Sequence, residues 1–327
     1  MSAVAPVERL PLDKKTEAQL KRGEKLDERP TLRRSKERLT SRGATIAAIV
    51  IAVLWTTPTL GLLITSFRPP ELINTSGWWS IFVNPGFTVS NYEAVLSGTA
   101  TTVTLGQSFI NSIAITIPAS IFPLVIAALA AYAFAWIPFR GRNILFIGVF
   151  ALQVVPIQMA LVPLLSLFAR GLKIGGVEVF EGLGAGGNSY GQIWIAHTIF
   201  ALPLAIFLLH NFISEIPHEL IEAARVDGAG HGQTFFRIVL PLAMPAIASF
   251  AIFQFLWVWN DLLVALVFAD GAVGPITKVL REITGNRGQD WYLLTAGAFV
   301  AMIVPLIVFF ALQRFFVRGL LAGSTKG

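Results

Sequence analysis

Along most of this chain apolar residues do not alternate with polar ones; they accumulate in long runs. Six predominantly apolar runs occupy roughly residues 44–67, 107–136, 144–169, 190–213, 236–268 and 291–315. Each reaches or exceeds the about 20 residues that carry a helix across a bilayer core. The pattern predicts an all-α, polytopic membrane protein with six transmembrane helices over 44–315. The first run follows a basic leader too long for a signal peptide, and no small-residue cleavage site succeeds it. It reads as a retained span. Pro118, Pro123, Pro156, Pro163, Pro203, Pro241, Pro245 and Pro305 stand inside the runs. They fit helices that bend around a cavity, and fit the ordinary kinks of a static bundle equally well.

One polar interruption has its own periodicity. Between the fourth and fifth runs, in the loop 214–241, the chain reads ELIEAARVDGAGHGQTFFRIVLP over 219–241. At 100° per residue from Glu215 to Asp227, one face collects Glu215, His218, Glu219, Glu222 and Arg225. Ile216, Leu220, Ala223 and Ala224 fall opposite; Val226 and Asp227 break the pattern. Pro217 suits the first turn, and Gly228 or Gly230 can end the helix. The helix is too short to span. A helix lying on lipid prefers Lys and Arg on its polar face, whereas this one carries three glutamates and one arginine. That face suits a basic protein cleft, and a push on such a docking helix moves both spans joined to it.

Composition agrees with the runs. Charged residues make up 13% and hydrophobic residues 54%, against about 25% charged in a soluble domain. The formal net charge of +6 is explained by topology. With the N-terminus inside, the inner segments 1–43, 137–143, 214–235 and 316–327, extended to the basic residues at the span ends, hold 19 Lys and Arg, and the outer ones hold 6. The positive-inside rule therefore places both termini in the cytoplasm, and nucleic acid is not needed as a partner. Residues 1–43 carry 12 basic and 7 acidic residues, the composition of a flexible tail or of an arm for anionic lipid. The longest outer loop, about 68–106, brings Trp78 and Trp79 to the membrane interface; the second outer loop is glycine-rich and flexible.

Candidate chemistry is sparse. There is no cysteine and no Walker A pattern. Gly182, Gly184 and Gly187 match G-x-G-x-x-G without a strand–turn–helix context, and His197, His210, His218 and His231 have no metal-ligand spacing. No catalytic residue, metal site or bound cofactor is expected. In FQFLWVWNDLLVALVF, Asp261 is the clearest ionisable residue within a run and so a functional candidate by default. Gln254, Asn260 and Asp261 can line a polar pathway, with Trp257 beside them. Alternatively, Asp261 is hydrated at the outer interface or pairs with another helix.

The loop also carries a resemblance. Glu222-Ala223-Ala224, then Gly228, then Ile238, Leu240 and Pro241 resemble the EAA loop of ABC importer permeases at every position and spacing. FTVSNYEAVL (87–96), FINSI (109–113) and AAYAFAWIPFRGRN (130–143) look like the carbohydrate-uptake branch. The ending QRFFVRGLLAGSTKG looks like the smaller permease subunit of the maltose system. RPPELINTSGWWSIF resembles α-glucoside permeases. The resemblance covers about 44–327. It implies one of two permease chains in a bacterial inner membrane, joined to a second permease and to a dimer of ATP-binding subunits that hold ATP and Mg. An extracytoplasmic solute-binding protein delivers the sugar. It further implies that Glu222 pairs with a basic residue of the ATPase and that Gly228 lets the chain turn. The tail Gly323, Ser324, Thr325, Lys326 and Gly327 would thread between the ATPase subunits. In the maltose system the sugar rests mainly on the larger permease. A non-sugar solute, an ion-coupled secondary transporter and a non-transporting scaffold remain the rival readings.

Overall fold

A computed structural model describes residues 42–97, 103–183, 189–269, 271–284 and 290–322. The charged tail over 1–41 and the C-terminal Gly323, Ser324, Thr325, Lys326 and Gly327 lie outside the described residues, as do Gly184 and Gly187. The chain divides into two compact units, Met1–Gly61 and Leu62–Gly327. The described part of the first unit is helical, the opening of α1 (Arg42–Ser66). Pro58 lies inside this helix and withholds one backbone donor. The hydroxyls of Thr56 and Thr57 donate to the carbonyls of Ala52 and Val53, both at 2.7 Å, so neither polar group is idle in an apolar helix.

In the second unit, the segment after α1 wraps around a cation. Arg68 is buried and lies before α2 (Pro70–Thr75) and a 3-10 turn, Trp78–Phe82. Its guanidinium donates to the carbonyls of Leu72 (3.0 Å) and Ser76 (3.1 Å) and to the hydroxyls of Ser76 (2.6 Å) and Ser80 (3.0 Å). From α3 (Ser90–Ser97), Asn91 donates to the carbonyls of Ser66 and Arg68, both at 2.9 Å. A buried charge persists only when its donors are satisfied, and here four neutral oxygens satisfy them.

The centre is a pair of long helices, α4 (Leu105–Trp136) and α7 (Tyr190–Ser214). Ala127, Ala128 and Ala131 of α4 share a buried cluster with Ala205 and Leu209 of α7. Small residues let membrane helices approach closely. At one end Tyr190 donates to the Asn111 side chain (2.7 Å), and Trp194 to the Ala114 carbonyl (2.9 Å). At the other, the Trp136 indole donates to the Ile213 carbonyl (3.3 Å). Starts meet starts and ends meet ends, so the two helices run parallel.

The chain between them must therefore cross back. It does so as α5 (Arg142–Ala151) and α6 (Ile157–Arg170), bent by 104°. The break lies at the 3-10 turn Leu152–Val154 and Pro156. Proline denies its neighbour helical geometry, and Val155 is extended. Phe150 of α5 stacks on Phe207 of α7 at 4.3 Å, while Leu164 and Phe168 of α6 pack with Ile115 and Ile193 near the opposite end. The run 144–169 is thus a broken span, not the single helix expected. Two short antiparallel strands, β1 (Leu172–Ile174) and β2 (Val177–Phe180), follow it in the glycine-rich loop, a small departure from an all-α chain.

After α7 come α8 (His218–Val226), the single turn α9 (His231–Thr234), a wide π turn over Phe235–Val239, and α10 (Leu240–Trp259). The run 236–268 is also interrupted: α10 stops at Trp259 and a separate α11 (Leu263–Phe268) follows. Then come α12 (Ile276–Thr284) and α13 (Trp291–Ala322). Among the described residues five helices are long and apolar enough to cross a membrane, and the bent pair supplies the sixth crossing. Trp259 binds these parts together. Its indole donates to the Ala301 carbonyl (3.2 Å), and its ring meets Phe109 and Phe255 at 5.6 and 6.0 Å.

The close α4–α7 approach leaves no room for a larger side chain at its centre. Ala131 is wholly buried, and Ala131→Leu overpacks the pair at about 1–3 kcal/mol. Thermal unfolding in detergent should fall by several degrees, whereas Ala131→Gly should keep the packing distance and lower it less.

Candidate functional site

The loop after α7 is built from ordinary helix-ending chemistry. Pro217 is the N-cap of α8, Glu219 sits in its first turn and Arg225 in its last, the charge order that complements a helix dipole. The C-terminus closes through Gly228, whose φ of 79° is left-handed. Gly228 N–H donates to the Arg225 carbonyl (3.0 Å) and Ala229 N–H to the Ala224 carbonyl (2.9 Å). This double closure is the Schellman motif, and it favours glycine at the left-handed position. The π turn holds Ile238 and precedes Leu240 and Pro241. Pro241 has no N–H, and its ring would collide with a carbonyl one turn back in a regular helix. A wider turn at this place relieves that conflict.

α8 buries only half of the stripe expected, with Ile221 added to it. Ile221 and Ala224 are buried, with Ile216 just before the helix, while Leu220 and Ala223 are exposed. Helix α8 begins at His218 rather than Glu215, and the neighbouring bundle, not amphipathicity alone, selects the inner side. Arg225 donates to the Trp136 carbonyl at the end of α4 (3.3 Å). The His218 ring packs on the Trp136 indole at 4.7 Å. Tyr132 shares a hydrogen bond with His231 Nδ1 (3.0 Å) and packs on Phe235 at 5.3 Å. Trp136, Tyr132, His218 and His231 therefore clamp the loop to α4. Nothing in the local sequence marks any of the four for this role, although Trp136 and Tyr132 lie in AAYAFAWIPFRGRN. Outward face Glu222, Ala223, Leu220 and Val226. The Glu222 side chain has no ion pair or hydrogen bond among the described residues. Ile238 and Leu240 are half-buried against the core and Pro241 is exposed.

The second predicted group separates into two. Gln254 and Trp257 line a narrow cleft with Gln153, His197, Phe200 and Phe250. Its interior is about 20 Å³, room for one water-sized group. Gln254 is buried and donates to the Ala119 carbonyl (3.3 Å), while Trp257 is 43% exposed. Asn260 and Asp261 belong instead to the break after α10. Asn260 donates to the Leu256 carbonyl (2.8 Å). The Asp261 carboxylate accepts from the N–H groups of Val264 (3.3 Å) and Ala265 (3.0 Å), closing the start of α11. It also lies 3.8 Å from His197 Nε2. Asp261 is thus outside the helix that the run suggested, and its partners on α11 and α7 account for it locally.

Residues 124–321 match the family described as binding-protein-dependent transport system inner membrane component. The chain belongs to that family. It is a permease component of an ABC transport system, and the matched span contains the whole α8 loop and the cleft. The chain is 52% identical over 287 residues to the osmoprotective compounds uptake permease protein GgtD of Synechocystis, covering 86% of this chain and 91% of that protein. It is also 52% identical over 245 residues to the alpha-glucoside transport system permease protein AglG of Rhizobium meliloti, covering 74% of this chain and 61% of that protein. With the trehalose transport system permease protein SugB of Mycobacterium tuberculosis, identity is 33% over 73% of this chain and 82% of the relative. A solved bacterial ABC transporter that imports alginate shares the fold at a TM-score of 0.61, with 14% identity, over 87% of this chain and 99% of that one.

The left-handed closure of α8 is directly testable. Gly228→Val places a branched side chain at positive φ, at about 1–3 kcal/mol. Amide exchange over 218–226 should accelerate markedly while the amides of α4 and α7 keep their protection.

Proposed function

We propose that this permease imports sugars of the oligosaccharide or α-glucoside class, and that α8 couples it to a separate ATPase. In this reading a dimer of ATP-binding subunits holds ATP and Mg, and the present chain performs no covalent chemistry. A second permease completes the pathway, and a solute-binding protein delivers the sugar on the other side. Both chain termini lie in the cytoplasm with α8, and the C-terminal tail reaches the ATPase.

The posture of α8 carries the reading. Its inner side is clamped to α4 through Trp136 and Tyr132, and it leads without a long linker into α7 and α10. Its outer side presents Glu222, whose side chain is unpartnered among the described residues, beside Leu220, Ala223 and Val226. An apolar patch with one free carboxylate suits a cleft with an apolar floor and a basic rim. The sugar class is supported by relatives named for alpha-glucoside and trehalose transport. The cleft supports it too. A half-exposed indole offers a flat surface to a pyranose ring, while Gln153, His197 and Gln254 offer hydrogen-bonding groups to its hydroxyls. Its interior admits a hydroxyl, so a ring would rest across the mouth on Trp257.

Two outcomes follow. In cells lacking this chain, labelled α-glucoside uptake should return with the wild-type chain and stay at least about tenfold lower with Glu222→Lys, because a reversed charge meets a like-charged rim. The variant should insert normally but recover less ATPase on purification; wild-type uptake by it would remove the coupling role of α8. Trp257→Ala should lower the uptake rate about tenfold, the scale of one lost aromatic contact, with ATPase recovery unchanged.

A further inference from the structure

A second cleft lies where the helix ends meet. Three chain segments converge there: the last turn of α4, the last turn of α7, and the first turns of α5. The cleft is about 390 Å³ and is lined on its polar side by Arg142, Asn143, His210 and Ser214. Among the described residues no carboxylate lines it. His210 Nε2 lies 3.3 Å from the Ser214 hydroxyl, and its ring rests 4.3 Å from Phe146. Arg142 is half-buried, and among the described residues neither it nor the exposed Arg140 is joined to a carboxylate. The N-cap of α5 is Gly141, left-handed at φ 82°, and no side chain caps the helix's first N–H groups.

These groups all favour an anion. A guanidinium, an imidazole, a carboxamide and a hydroxyl supply donors, and an uncapped helix start adds positive potential. The remaining wall is apolar: Phe134, Phe146 and Ile147. Ile147 is also 65% exposed, and it continues into a face of α5 with Ile144 at 80% and Phe150 at 41% exposure. The cleft therefore joins a cationic mouth at the end of three membrane helices to a bare apolar track that runs along one of them. A free inorganic anion would fill the first part and leave the second uncovered.

We propose that this cleft binds the head group of an anionic phospholipid, with an acyl chain lying along Ile144, Ile147 and Phe150. Basic pockets between helices at the membrane surface have this chemistry. Arg142 contacts the phosphate, Asn143 and His210 contact the glycerol and phosphate oxygens, and α5 is held at the level where it enters the bilayer. The inference does not depend on which solute is carried.

The test uses the complete transporter, purified in detergent and exposed to mixed lipids. Native mass spectrometry counts the lipids retained. The wild type should retain phosphatidylglycerol over phosphatidylcholine by at least fivefold. Arg142→Gln should lose most of that preference and Arg142→Lys should keep part of it. Inorganic phosphate at millimolar concentration should not displace the lipid. Equal retention of the two lipids by the wild type would overturn the proposal, even if the variant failed to assemble. So would an unchanged preference in Arg142→Gln. Displacement by phosphate would assign the cleft to a free anion, and retention of neither lipid would assign it to a protein neighbour.

Discussion

Two parallel helices cannot be consecutive crossings of a membrane; something must bring the chain back between them. That constraint organises this molecule. The alanine-lined contact of α4 with α7 is set at both ends by side-chain donors on carbonyls, from Trp194 and Trp136. The return path then has to thread alongside a pair already closely packed. It does so as two half-length helices with a proline-marked break. Backbone at a break tolerates the membrane interior only where protein or water receives it. Accordingly Gln153, at the break, faces the cleft that also contains His197 and Gln254.

The large features were legible because hydrocarbon imposes them. Run length marked the crossings, and glycine and proline marked the ends of α8. What escaped was set by neighbours rather than by periodicity. Hydropathy does not distinguish an apolar run that continues from one that breaks, so 144–169 and 236–268 each read as a single helix. In the second, the break is fixed by Asp261 accepting backbone N–H groups from α11. A sequence window sees only a carboxylate among apolar residues and leaves open whether it lines a pathway, is hydrated at the interface or pairs with another helix. In α8 the wheel gave an apolar side, yet Ile221 rather than Leu220 is inside, because the core places Ile213 and Trp136 beneath it. The clamp of Trp136 and Tyr132 was invisible for the same reason: these residues are about 90 positions away from the loop they hold.

The α8 loop is therefore two-sided in a specific sense. Its inner surface is committed to α4, and among the described residues its outer carboxylate, Glu222, meets no partner. Permease chains of this family work with other proteins, and a surface element that is stiff toward its own bundle transmits displacement better than one that swivels. Schellman closure, ring contact and the Arg225 bond each remove a way for α8 to yield independently.

The π turn over Phe235–Val239 has a geometric meaning of its own. A π turn is an α-helix with one residue too many, and one residue amounts to about 100° of rotation. The loop and α10 are consequently out of phase by that angle, compared with an uninterrupted helix. Here the surplus residue acts as an angular spacer. It lets the side chains of Phe235 and Val239 enter the core while α10, beyond Pro241, turns an independent face toward α4 and α13. The orientation of the membrane-crossing part is in this way uncoupled from that of the loop, although from His231 to Trp259 the backbone never leaves a helical path.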